Sequence, residues 1–260
     1  EGLASSAPAK SAIDKTNVQN SRKLGARTVS EAMGRTFHKQ EIPRMRIVLA
    51  AALAMMAGPV FADQVADLIT GTITECRGCD LHGANFKKAD LTGVDLTGAN
   101  ITDATFHRAK LRGAILIGVT AAGANFNLAD LTLAQMTEGD FSRALFYGAE
   151  MSGVDLSAAN LTEARMQTAR LTSAKLPSAQ LDRTLLGGAM ANNADFRNAS
   201  MQQTNLNGAR LGRSLFDGAT ISYAGFVQAE LSRASFIDAN ISLTDFYGAD
   251  LRRALMTGAT

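Results

Sequence analysis

The sequence predicts an all-β fold in which the chain winds as a four-sided β-helix of about nine coils, and three observations lead there. A large apolar residue stands at every fifth position from Leu81 to Met256; of these 36 centres, 34 are Leu, Ile, Met or Phe, and only Ala121 and Ala191 interrupt the series. Two residues before each centre sits a small residue, Ala in 27 of the units. Phenylalanine falls into columns. Phe86, Phe106, Phe126, Phe146, Phe226 and Phe246 share one 20-residue ladder, Phe196, Phe216 and Phe236 share another half a coil away, and Phe141 stands outside both.

A period of five suits neither common element. Five residues advance about 140° on an α-helix, which leaves no apolar stripe. On a flat strand an odd period sends successive large residues to opposite faces. The pattern works if the chain turns a corner once per unit. The small and the large residue, two apart, then both point inward, and the other three positions point outward. The Phe columns set four units per coil, and at roughly 4.8 Å per coil the solenoid is a rod of ~43 Å.

Units such as Ala84-Asn85-Phe86, Ala89-Asp90-Leu91, Ala99-Asn100-Ile101 and Ala129-Asp130-Leu131 resemble the A(D/N)LXX signature of the pentapeptide-repeat family. The resemblance runs from Cys79 to Thr260 without a break in register. It implies the right-handed quadrilateral β-helix of that family, a pentapeptide-repeat solenoid, and it supplies no shared catalytic site. Gly recurs two places after the centre, as at Gly83, Gly93, Gly98 and Gly113, where a corner can require positive φ.

Taken in chain order, residues 1–44 are polar and lack a sustained apolar period, as expected of a disordered or non-native upstream extension, with Met45 as the native start. Residues 45–62 have the charged start, the 11-residue apolar middle (Ile47 to Ala57) and the small-residue end of a secretory signal peptide, with cleavage expected before Asp63. Eleven residues are too few to span a bilayer, so no stable membrane insertion is expected. A buried or amphipathic helix ahead of the solenoid is the competing assignment. Export places the protein in the periplasm or outside the cell; the alternative location is the cytoplasm. Charge divides at the same point. Residues 1–62 carry nine Lys and Arg against four Asp and Glu, and residues 63–260 carry 17 against 20. The slightly acidic mature part predicts no nucleic-acid binding by overall charge.

Residues 63–78 read as an N-terminal cap. Val65, Leu68 and Ile69 have the i, i+3, i+4 spacing of a short helix that can cover the open edge of the solenoid. Cys76 continues the register as a centre, and Cys79 is a small inward residue. In an exported protein a disulfide between them is favoured; two reduced core thiols are the alternative. His82 extends the pair to Cys-x-x-Cys-x-x-His, but three candidate ligands without a fourth do not make a zinc site.

Over residues 79–260 the solenoid shows no grouping that supports catalysis. His82 and His107 project from different sides, and His38 precedes the signal. No metal, no cofactor and no enzyme activity are expected. The family resemblance implies another role, DNA mimicry, in which a negatively charged rod occupies the DNA site of a type II topoisomerase such as gyrase. The outward ladders argue against it here. One reads Asp90, Lys110, Asp130, Glu150, Arg170, Met190, Arg210, Glu230, Asp250, and another Asp155, Lys175, Asp195, so signs are mixed rather than aligned. Two surface features remain. Arg213, Arg233 and Arg253 stack at one corner with Arg252 beside them, fit for an anion, a carbohydrate or an acidic partner, or else a solvated corner screened by Glu230 and Asp250. Tyr223, Val227, Leu243 and Tyr247 form an apolar contact patch on the same coils. The last coil offers an edge through which a homodimer can stack end to end. The resulting expectation is an exported, non-catalytic structural or protein-interaction scaffold with an unknown protein partner.

Overall fold

The computed structural model describes residues 61–260. The chain divides into two units, Glu1–Ala57 and Gly58–Thr260. The upstream extension expected at 1–44, His38 within it, and the signal segment 45–62 apart from its last two residues lie outside the described residues.

The second unit begins with helix α1, Phe61–Thr70, which starts two residues ahead of Asp63. Asp63 lies in its first turn, where a carboxylate complements the helix dipole. Leu68 is buried and Val65 packs half-buried on the solenoid core. Ile69, expected on the same stripe, is instead 43 % exposed. The helix meets the core through Val65 and Leu68, and Ile69 falls outside that narrow contact. The helix stops at Gly71, whose φ of 73° is left-handed. The Thr72 N–H there donates to the Asp67 carbonyl at 2.9 Å, closing the end as glycine C-caps do.

From Glu75 to Ser235 every fifth residue pairs in parallel with the residue 20 positions later, beginning with Glu75 and Asp95 and ending with Ser235 and Leu255. Four five-residue units therefore complete each circuit, so the solenoid is four-sided. The corners are turns closed, except at Val119 and Gly139, by the small residue's N–H on the preceding centre's carbonyl, as in Ala84 to Leu81 at 3.0 Å. The residue two after the centre takes positive φ, the mark of a type II turn. Glycine is the commonest residue there, yet 23 other residues adopt the same conformation, among them Lys88, Leu133 and Arg233. Each pays about 1 kcal/mol for it, offset in all but Leu243 and Arg253 by its own N–H, which donates to the next coil; Lys88 reaches the His107 carbonyl at 3.0 Å.

The Asp and Asn before the centres have a local task. Asp95 Oδ1 accepts from the Thr97 N–H at 2.9 Å, and Asp130 and Asn160 hold Thr132 and Thr162 in the same way. These are Asx turns, which fix the corner before any neighbouring coil is added.

The core is one column of side chains. Every centre from Phe86 to Phe236 is at most 3 % exposed. Rings 20 residues apart stack nearly parallel, Phe106 on Phe126 at 4.9 Å and Phe196 on Phe216 at 5.0 Å. Phe141 meets Phe126 and Phe146 edge-on at 6.2 and 6.0 Å, so centres on neighbouring sides touch across the interior. Where the small position is polar, its hydroxyl is satisfied: Thr184, Thr204 and Ser214 each donate at 2.7 Å to the carbonyl 23 residues earlier. Among the described residues no buried side-chain nitrogen or oxygen lacks a partner. Ile241, Phe246 and Leu251 are only partly buried against this core.

Candidate functional site

The cysteines come together as a disulfide, Cys76–Cys79, with Cα atoms 5.5 Å apart. It ties the first inward centre to the next small position, beside a concavity lined by Gln64, Ile73, Glu75 and Arg77. Arg77 reaches across to the buried Asp95 at 2.6 Å. Burial works to raise the Asp95 pKa, but the bonds from Thr97 and the Arg77 charge together bring it below the ordinary value. His82 is exposed. Among the described residues no group of three His, Cys, Asp or Glu side chains is placed to hold a metal ion.

The outward ladders cancel by contact. Lys110 pairs with Asp90 at 3.0 Å, Arg170 with Glu150 at 3.2 Å, Arg210 with Glu230 at 3.6 Å and Lys175 with Asp155 at 3.7 Å, each pair 20 residues apart on adjacent coils. Arg197 instead folds back onto Asp195 of its own coil at 2.6 Å.

The four arginines expected to act together are divided by the structure. Arg252 Nε and Nη2 both donate to Asp250, at 2.8 Å each, so its guanidinium is already occupied. Glu230, expected to screen the corner, is held by Arg210. Arg213, Arg233 and Arg253 are exposed, occupy the positive-φ corner position of successive coils, and make no ion pair among the described residues. The outward residues on the next side are Leu215, Ser235 and Leu255, which carry no charge. Two shallow concavities open along this column. One, of about 390 Å³, is lined by Asn192, Asn193, Gly212, Arg213, Ser232 and Arg233. The next, of about 280 Å³, is lined by Ser232, Arg233, Arg252 and Arg253.

The apolar patch is well exposed at Tyr223, Leu243 and Tyr247, at 62, 72 and 77 %, while Val227 is half-buried. These residues flank a side whose outward position is Gly225. Two groupings were missed from the sequence. Leu128, Leu133 and Tyr147 are also exposed. Lys87, Lys88, His107, Arg108 and Arg112 stand on two adjacent coils, where of the neighbouring cations only Lys110 is paired. Reading Lys87-Lys88 and His107-Arg108 as pairs 20 residues apart would have found the second.

The unbroken five-residue register, the 20-residue pairing and the inward small and large residues define a class of protein, the four-sided parallel β-helix. The chain belongs to the pentapeptide-repeat family: the family model, pentapeptide repeats in 8 copies, matches residues 79–118, 109–148, 149–188, 179–218 and 214–258. Among solved structures the chain is similar to HetL, a pentapeptide repeat protein involved in heterocyst differentiation regulation from the cyanobacterium Nostoc sp. strain PCC 7120. The identity is 29 %, with 71 % of this chain and 88 % of that one covered and a TM-score of 0.43. It is also similar to a trypsin-treated variant of QnrB1, a plasmid-mediated fluoroquinolone resistance protein, at 18 % identity over 69 % of this chain and 89 % of that one, TM-score 0.55. No curated protein matches the chain.

Proposed function

We propose that the protein is an exported, non-catalytic scaffold, a solenoid of about nine coils that presents its sides to a protein partner. The observation that carries the reading is the combination of a fully packed, uninterrupted core with the exposed Tyr223, Leu243 and Tyr247 on one part of its surface. Rigid aromatic side chains on a stiff support lose little entropy on binding and are favoured contact residues. Catalysis needs a cleft that gathers acid, base or nucleophile, and the solenoid sides hold turns and ion pairs instead.

The half-buried Ile241, Phe246 and Leu251 extend the reading to a homodimer joined through the last coil. Analytical ultracentrifugation at tens of micromolar separates the two states, and a monomer there removes the dimer.

Topoisomerase mimicry is the competing reading, supported by the fold likeness to QnrB1. It requires an extended negative field. The pairs Asp90–Lys110, Glu150–Arg170 and Arg210–Glu230 spend the acidic groups within the surface instead. Mass spectrometry of the protein recovered from its native host tests the export reading. A mature N-terminus at Asp63 is expected. Intact protein confined to the cytoplasm overturns export, and protection of gyrase in a supercoiling assay would then favour the mimic.

A further inference from the structure

Charge on this solenoid is matched across adjacent coils at several places, and the column Arg213, Arg233, Arg253 is one where it is not. The three side chains rise one coil at a time, and coils here are spaced as the stacked rings of Phe216 and Phe236 are, 4.7 Å apart. Like charges at such spacing repel, more so beside an apolar rod than in bulk water. The neighbouring acids cannot relieve them, because Glu230 is held by Arg210 and Asp250 by Arg252. What faces the column is a set of donors. Asn192 uses its Oδ1 to accept the Gly212 N–H at 2.9 Å, which leaves its NH2 group as the part able to meet a ligand. Asn193, Ser232 and the guanidinium groups complete the lining, and no carboxylate is part of either concavity.

We propose that this column is a binding site for a phosphorylated or sulfated ligand carrying at least two anionic groups about one coil apart. A guanidinium fork fits the oxygens of such groups bidentately. Arg233 and Ser232 line both concavities, so two anionic groups seated one in each share them. An acidic peptide fits less well, since successive same-side residues of an extended chain are about 6.6–6.8 Å apart and drift out of step with the coils. The site lies on the repeat itself and does not depend on where the protein resides.

Isothermal titration calorimetry on the full chain tests the site with two probes, inorganic tripolyphosphate and a chondroitin sulfate tetrasaccharide, which distinguish a phosphate from a sulfated-sugar source. The informative variants are Arg213→Gly, Arg233→Gly and Arg253→Gly, because glycine accepts the positive φ of the corner and leaves the turn intact. Saturable binding of at least one probe is expected, with one ligand per chain. Arg233→Gly should weaken it by about tenfold or more, and either flanking variant by less. The combined Lys87→Ala, Lys88→Ala and Arg108→Ala variant, which removes charge from the other basic grouping, should bind as the parent does. Equal weakening by both sets of variants would mean general attraction to a basic surface and overturn the site. So would failure of both probes to bind, or a deca-glutamate peptide binding more tightly than either.

Discussion

Gly139 lies against the ring of Phe141: a Cβ placed on Gly139 would collide with the Cε2 edge of that ring. Gly139 is the one glycine among the small inward positions, and Phe141 is the one phenylalanine of the repeat region outside the two ring columns. The two exceptions explain each other. A ring on a third side of the solenoid fits only because the neighbouring small residue has lost its methyl group, and it then packs edge-on against Phe126 and Phe146. Gly139→Ala should therefore cost about 1–3 kcal/mol through overpacking. Adding Phe141→Leu should return much of that loss. Urea denaturation of the two variants checks it; a Gly139→Ala protein as stable as its parent would contradict the coupling.

Phe126 stacks on Phe106 and on Phe146, at 4.9 and 5.0 Å, and is fully buried. Truncation to Ala should cost about 3–5 kcal/mol, since rings above and below cannot close the gap without breaking coil pairing. In a solenoid each coil contacts only its neighbours. The added hydrogen exchange should accordingly concentrate in the coils either side of Phe126, leaving Phe226 and Phe236 protected.

The fold was legible because its signal is redundant. The inward assignment of Phe106 or Leu131 rests on a register repeated without slippage, and one long-range distance, 20 residues, then determines the pairing. The surface was less legible, because neighbours there are chosen by side-chain conformation. Arg252 lies two residues from Asp250 and one from Arg253, and the sequence alone gave it to the arginine corner; only the geometry shows both of its donors on Asp250. Ile69 failed for a related reason. Helical spacing specifies a stripe, but the width of stripe that a solenoid end can cover is a property of the packed object.

The Cys76–Cys79 bond closes a very short loop, so the entropy it removes from the unfolded chain is small, about 2 kcal/mol in the chain-entropy account. Replacing both cysteines by Ser should lower stability by no more than about this amount. The loss should appear as early exchange of α1 and the first coil. Dithiothreitol should shift the parent toward the variant and leave the variant unchanged; sensitivity of the variant to reductant would show that the bond is not the cause.

Asp250 provides the test with the clearest sign. Side-chain bonds from Arg252, then its backbone N–H, lower the Asp250 carboxyl from 3.8 to about 2. A carboxyl depressed by folding adds stability above its unfolded value, and that contribution is lost as pH falls from about 3.8 to about 2. The Asp250 carboxyl carbon, followed by NMR, should titrate near the lower value in the parent and move up in Arg252→Ala. The melting temperature of the parent should fall more steeply than that of Arg252→Ala across this range; parallel curves would contradict the linkage. The same pair controls the neighbouring column. Asp250→Asn releases a guanidinium beside Arg253, so tripolyphosphate should bind this variant more tightly at neutral pH, although the mutated carboxylate never touches the ligand. Unchanged affinity would mean that Arg252 is held away from the column by something other than Asp250.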